Sequence, residues 1–305
     1  MTKFLIIGDL HGAMPKFYFK PRDFDAIIAP GDFCSDAPRK YMFQSLKLWL
    51  NEKIDIEWYD LAGRRKAVKM LKKSLRDGRR VLEFLNSLNK PVFITPGNWD
   101  WTSHSGEHMR VLRRSWYKNY LIKGLKNIHD LHLKAKNWKS FRFIGHGITS
   151  GPEYPQGRDI KNYNKKELNK RKKAYIKNVK KLSKLFNEAK RKGKIIVFLT
   201  HNIPYNTKLD LINNKLSPRH GQHFGSVIAK EAIKKYKPLA CIGGHMHEHF
   251  GKQKMASGRT TAINAGFGGR VNTLLEIDED KGRIKSIRFV NKDRRREING
   301  KVGRK

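Results

Sequence analysis

The sequence predicts a layered α/β (α+β) protein, and three observations predict it. Short apolar runs alternate with longer amphipathic stretches along most of the chain, which is the pattern of sheets covered by helices. Several runs end in glycine followed by an oxygen or nitrogen donor: Gly8-Asp9-Leu10-His11, Gly31-Asp32, Gly97-Asn98 and Gly243-Gly244-His245-Met246-His247, with Thr200-His201 ending another. Strand carboxyl ends are where α/β sheets collect ligands. Hydrophobic residues make up 38% of the 305-residue chain, enough for a sizeable core in one large domain or two small ones.

The elements follow in order. Phe4 to Ile7 is a buried strand and Gly8 and Gly12 turn the chain after it. Phe24 to Pro30 is a second strand. Pro38 opens a helix, where its missing N–H costs least, and Tyr41, Leu46, Trp49 and Leu50 form its expected buried stripe. Val68, Leu71, Leu75, Leu82 and Leu85 mark a helix over 64–88. Pro91 to Pro96 is the third strand and delivers Gly97-Asn98-Trp99-Asp100. Residues 102–124, with His104 and His108, are placed as a loop and helix over the site. Ile128 to Leu133 and Phe141 to Ile144 are strands, and the second runs into Gly145-His146-Gly147.

Residues 161–194 hold 15 Lys+Arg and two acids. Leu168, Tyr175, Val179, Leu182, Phe186 and Ala189 keep to one face, so this is a docked amphipathic helix with a cationic outer face, part of a basic helical insertion at about 156–194. Ile195 to Leu199 is a strand, 203–222 a polar loop, and Ser226 caps a helix to about Tyr236. Pro238 to Ile242, Thr261 to Asn264, Thr273 to Ile277 and Arg283 to Val290 are strands, with Gly266, Gly268 and Gly269 turning between the second and third of these. Residues 291–305 read as a basic tail after a domain spanning 1–290.

The formal net charge is +39, from 66 Lys+Arg against 27 Asp+Glu. Such a field favours polyanionic partners, and RNA or DNA on the 161–194 helix and the tail is the expectation. A Lys-rich proteome or a high-salt cytoplasm gives the same composition. Two cysteines, Cys34 and Cys241, without a C-x-x-C pair, argue against a disulfide scaffold or zinc ribbon and for a reducing, cytoplasmic setting. No signal-peptide pattern is visible, and no apolar run is long enough for a membrane span.

Asp9 with His11 at one strand end suits a divalent cation, although Asp and His also serve there as turn formers. The recurrence of such donors at five strand ends is what makes metal binding the expectation. The ordered blocks D-x-H, G-D, G-N, H and G-H-x-H resemble those of the calcineurin-like metallophosphoesterase superfamily. The resemblance spans residues 4 to about 277. His223-Phe224-Gly225-Ser226, Gly243 to Glu248 and Ile263-Asn264-Ala265-Gly266 are similar to a compact prokaryotic and archaeal branch of it.

The resemblance implies a four-layer αββα sandwich, two mixed β-sheets face to face flanked by helices. It implies two divalent metal ions of the Mn, Fe, Zn or Ni kind, favoured by imidazole. Asp9, His11 and His247 would hold one, Asn98, His201 and His245 the other, and Asp32 would bridge them. A bridging hydroxide would then attack a phosphoester.

The chain departs from the superfamily at Trp99, where a histidine usually donates a proton to the leaving group. Indole N–H cannot do this, and Asp100 is left without its usual imidazole partner. His223 is the expected replacement, with His220, His104 and His249 behind it. Trp99 would stack on a base or wall the pocket, so Trp99, His223 and His220 form the expected substrate-binding set. Asp32, Asn98, Asp100 and His223 form the expected catalytic set. The expected function is a two-metal phosphodiesterase acting on a nucleotide or nucleic acid. The alternative is a weakly active or inactive relative serving as a nucleic-acid or ribonucleoprotein-binding module.

Overall fold

The structure is a computed structural model that describes residues 1–103, 108–215, 217, 219–268, 270–291 and 294–298. His104 lies outside the described residues.

The strands are β1 (Thr2–Ile6), β2 (Ala26–Ala29), β3 (Val92–Ile94), β4 (Ile128–Asp130), β5 (Ala135–Trp138), β6 (Phe141–His146), β7 (Ile195–Asn202), β8 (Ala240–Gly244), β9 (Gly251–Lys254), β10 (Thr261–Asn264), β11 (Val271–Asp278), β12 (Arg283–Asn291) and β13 (Arg294–Ile298). The helices are α1 (Arg39–Lys47), α2 (Trp58–Ala62), α3 (Arg64–Ser87), α4 (Lys165–Arg191) and α5 (Val227–Tyr236).

One sheet runs β13-β12-β11-β1-β2-β3-β4 and the other β5-β6-β7-β8-β10-β9. β1 to β4 run parallel in the first and β6-β7-β8-β10 in the second; antiparallel strands flank the first on one side, β11 to β13, and the second on both, β5 and β9.

The strand period of two sorts side chains into layers. From β1 and β2, Phe4, Ile6, Ala26 and Ile28 face the other sheet and meet Phe143, Val197, Leu199 and Ile242. Their neighbours Leu5, Ile27 and Ala29 turn the other way, onto Leu71, Leu75, Leu82 and Leu85 of α3. On the far side, Ile196 and Phe198 of β7 meet Leu182 and Phe186 of α4 and Ile228 and Ile233 of α5. This is the expected αββα sandwich.

The cationic helix docks as its periodicity predicts. Asn164 and Glu167 close a reciprocal capping box at its start. Leu182, Phe186 and Ala189 are buried, with Tyr175 and Val179 packed beside them.

Several features differ from expectation. α1 fully buries none of its residues; Tyr41 and Met42 pack half-buried against the core, and Met42, Leu46 and Trp49 line a cleft. Over the described part of 102–124, short helical turns at Arg110–Arg113 and Tyr117–Leu121 stand in place of a longer helix. β5 and β9 escape a hydrophobic reading because they are polar edge strands, AKNW and GKQK. The 291–305 stretch read as a tail contributes β13, antiparallel to β12. The glycine turn after β10 does not join neighbouring strands; it carries the chain from one sheet to the other.

Candidate metal centre

Both sheets deliver donors from the carboxyl ends of their parallel strands. β1 leads into Asp9 and His11, β2 into Asp32 and β3 into Asn98; β7 carries His201, and β8 leads into His245 and His247. The backbone is left-handed at Asp9 (φ 46°), His11 (46°), Asp32 (57°) and His245 (65°). Such conformations in non-glycine residues cost about 1–3 kcal/mol each and persist only where the surroundings impose them. Glycines make room beside the carboxylates. A Cβ at Gly97 would overlap the Asp32 carboxylate, and one at Gly244 would lie 2.7 Å from Asp9 Oδ1.

Asp32 sits at the centre. Its Oδ1 accepts Trp99 N–H at 2.8 Å. Its Oδ2 lies 3.6 Å from His11 Nε2 and 3.4 Å from His201 Nε2. His201 donates Nδ1–H to the Pro30 carbonyl at 2.8 Å, which turns Nε2 inward, 2.9 Å from Asn98 Oδ1. His247 Nε2 lies 3.2 Å from His11 Nε2 and 3.4 Å from Asp9 Oδ2. The Asp9 carboxylate also accepts His245 N–H.

The donor atoms of His11, Asp32 and His247 lie within 4.8 Å of one another, and so do those of Asp32, His201 and His245. Asp9 Oδ1, Asp32 Oδ2 and His11 Nδ1 are buried without a hydrogen-bond partner. Buried carboxylate oxygens left bare are costly, and a divalent cation among them removes that cost. The donor set, carboxylate and imidazole with one amide oxygen, therefore fits such ions.

The electrostatics agree. Burial opposes charge on Asp32, yet His201 and then His11 hold its carboxyl well below the usual range. Burial likewise opposes charge on His201, but Asp32 and Asp9 push it up to about 9. Burial lowers His11, and burial with the nearby His201 pushes His245 down to about 4, so both stay neutral and able to ligate.

Asp100 lies outside this donor set. Its Oδ2 accepts the N–H groups of Asp32 (2.8 Å) and Gly97 (2.7 Å), and its Oδ1 those of Phe33 (2.7 Å) and Cys34 (3.1 Å). It ties the two ligand loops together from behind. Burial, and then the Asp32 charge, push it up to about 6.

A cleft of about 1150 Å³ opens over the donors; Trp99 lines it, and His220 and His223 are not among its described lining residues. His223 is held away by Asp210, whose Oδ1 lies 2.8 Å from its Nδ1. Asp210 also accepts the N–H groups of Asn206, Thr207 and Gly225, which fixes that loop. His249 donates to the Leu211 carbonyl and His108 is exposed.

The structure supplies two other histidines. His132, just past β4, and His146, at the end of β6, line the cleft and stack with centroids 6.0 Å apart. They continue the rows of strand-end donors by one strand in each sheet. His132 Nδ1 accepts Gly147 N–H at 3.0 Å, so its proton sits on Nε2. Burial, and then His146, push His132 down to about 3. His146 Nε2 lies 3.1 Å from Glu153 Oε1, and its Nδ1 is buried without a partner. Glu153 also accepts the Ser226 hydroxyl and the first N–H groups of α5, Val227 at 2.8 Å and Ile228 at 3.2 Å. Burial opposes its charge, but these partners hold it below the usual carboxylate range.

Gly145-His146-Gly147 repeats the strand-end punctuation, and that signal was available in the sequence. Phe267 carries no such signal, yet its ring lies 4.3 Å from that of His247.

A two-sheet sandwich whose facing strand ends converge oxygen and imidazole donors on one cleft defines a class: metal-dependent phosphoesterases. The family model described as calcineurin-like phosphoesterase matches residues 2–249, and the chain belongs to that family. No curated protein matches the chain. Among solved structures, the crystal structure of TT1561 of Thermus thermophilus is similar at 15% identity, covering 95% of this chain and 98% of that one with a TM-score of 0.51. A second crystal structure matches at 18% identity with the same coverage and a TM-score of 0.59. At these identities the likeness shows the fold. No helix among the described residues is long and apolar enough to cross a membrane.

Proposed function

We propose that the protein is a two-metal phosphodiesterase acting on a nucleotide or nucleic-acid substrate. Asp9, His11 and His247 would hold one ion and Asn98, His201 and His245 the other, with Asp32 between the two groups. The observation that carries this reading is Asp32 Oδ2, a bare carboxylate oxygen common to two imidazole groups. Ions held there supply Lewis acidity for transfer of a phosphoryl group to water.

The chain's own residues do the rest. Pro30 O fixes the His201 tautomer, and Trp99 N–H orients Asp32. Asp100 sets the loops rather than moving a proton. His132 lines the cleft where His223 does not, and its Nε2–H can donate a hydrogen bond to a leaving oxygen, while His146 is engaged by Glu153.

The test is hydrolysis of bis-p-nitrophenyl phosphate with added Mn²⁺, together with a count of bound metal. Wild type should turn over and bind two ions per chain; Asp32→Ala should lose both. Full metal binding with no turnover of any mono- or diester would favour the second reading, a nucleic-acid-binding module. That reading is favoured by the exposed lysines of α4 and by Trp99 at the cleft.

A further inference from the structure

One wall of the cleft has no part in the mechanism above. Met42, Leu46 and Trp49 follow helical spacing along α1 and the turn after it, with Phe43 beside them 44% exposed, and all four line the cleft. Facing them are Tyr163 and, from the first half of α4, Arg171 and Tyr175. Trp49 and Tyr163 meet with ring centroids 5.6 Å apart. The Arg171 guanidinium lies 4.4 Å over the Tyr163 ring. Lys53 Nζ reaches Asn162 Oδ1 at 3.3 Å, tying the same two segments together. Lys47 and Arg171 add positive charge to the lining without a carboxylate partner among the described residues.

We infer that this wall binds the base of a discrete nucleoside phosphate, either a free nucleotide or the last nucleotide of a strand. The inference rests on the phosphoesterase reading for where the phosphate lies, and on the wall alone for the base. Half-buried aromatic faces with an adjoining guanidinium are the surface on which bases stack. The unpaired cations suit the phosphate that comes with the base. The Trp49–Tyr163 and Lys53–Asn162 contacts bridge the segments on either side of this wall, so a free nucleotide or a chain end reaches it more readily than the interior of a strand.

The experiment measures equilibrium binding to the metal-loaded protein at about 0.3 M salt, where surface charge is screened. The probes are AMP, inorganic phosphate, dodecyl phosphate, and one oligonucleotide sequence in linear and covalently closed circular form. AMP should bind at least about tenfold more tightly than inorganic phosphate, as one stacked base allows. That ratio should fall toward one in Trp49→Ala and Tyr163→Ala, and the conservative Trp49→Phe and Tyr163→Phe should keep most of it. Because a ratio is read, a partly unfolded variant still reports. The linear oligonucleotide should displace AMP and the circle should not.

Equal affinity for AMP and phosphate, tighter Trp49-dependent binding of dodecyl phosphate, or displacement by the circle would each overturn the inference. Binding is read without turnover, so a catalytically inert protein that stacks AMP on Trp49 would refute the hydrolase alone. A hydrolase indifferent to Trp49 and Tyr163 would refute the wall alone.

Discussion

Replacing Asp100 with asparagine should damage the metal centre through the backbone and not through proton transfer. The carboxylate accepts four main-chain N–H groups, two on each oxygen, within 2.7–3.1 Å. An amide keeps the shape but turns one oxygen into a donor, so two buried N–H groups lose their acceptor. At about 1–3 kcal/mol for each unsatisfied group, the loss is about 2–6 kcal/mol. That is a large share of the roughly 5–15 kcal/mol that holds a protein folded, and for a chain of this length it corresponds to a melting temperature lower by roughly 3–9 °C. Three of the four donors, at Asp32, Phe33 and Gly97, flank or belong to the loops that present Asp32 and Asn98, so metal affinity should fall with stability. Thermal melting with and without Mn²⁺, beside calorimetric metal titration, reads both. A variant that melts and binds metal like wild type while losing hydrolysis would refute this reasoning and return Asp100 to a chemical role.

Other predictions follow from the same geometry. His201 is pushed up to about 9 by Asp32 and Asp9 against the cost of burial; in metal-free protein its charge stabilises the fold fully below its ordinary value of 6.5, and this is lost as pH rises through about 9. A metal must displace that proton, so apparent affinity should rise by up to about tenfold per pH unit between roughly 7 and 9; calorimetric titrations giving a pH-independent constant would count against the placement of His201. His132→Ala should lower kcat by about tenfold at most on diesters with alkoxide leaving groups, the worth of one hydrogen bond, and less on p-nitrophenyl esters, read as the ratio of the two rates; equal losses on both substrates would assign it a structural role. Single-stranded RNA should bind with a salt slope that drops by about 0.7 for each phosphate contact removed, so neutralising exposed Lys170, Lys173 and Lys177 of α4 together should flatten a log–log plot; an unchanged slope would place the nucleic-acid surface elsewhere.

How much was legible depends on whether a residue's role is carried by its neighbours in sequence. Asp9, His11, Asp32, Asn98, His245 and His247 each follow an apolar run and a turn, and His201 ends the apolar run of β7 itself; such a local pattern survives in one dimension. The central strands were legible too, because β1, β2 and β7 carry continuous apolar runs buried on both faces. The α1 stripe was legible as apolar but not as cleft lining, since a stripe turned to a ligand pocket and one turned to a core have the same period. The same limit hid the proton-donor candidates. His223 stands in a glycine-flanked motif but is captured by Asp210, thirteen residues earlier, while His132 reaches the cleft only because β4 pairs with β3.

The sequence by itself determined a layered α/β protein, the row of donor-bearing strand ends and the cationic face of α4, because each depends on spacing within one element; the four-layer αββα order was implied by the family resemblance. Only the tertiary structure decided that Asp100 clamps loops, that His132 and His146 line the cleft while His223 is held by Asp210, and that Trp49 meets Tyr163. Those facts depend on distances between segments far apart in the chain, which hydrogen bonding and packing between elements set and local pattern does not encode.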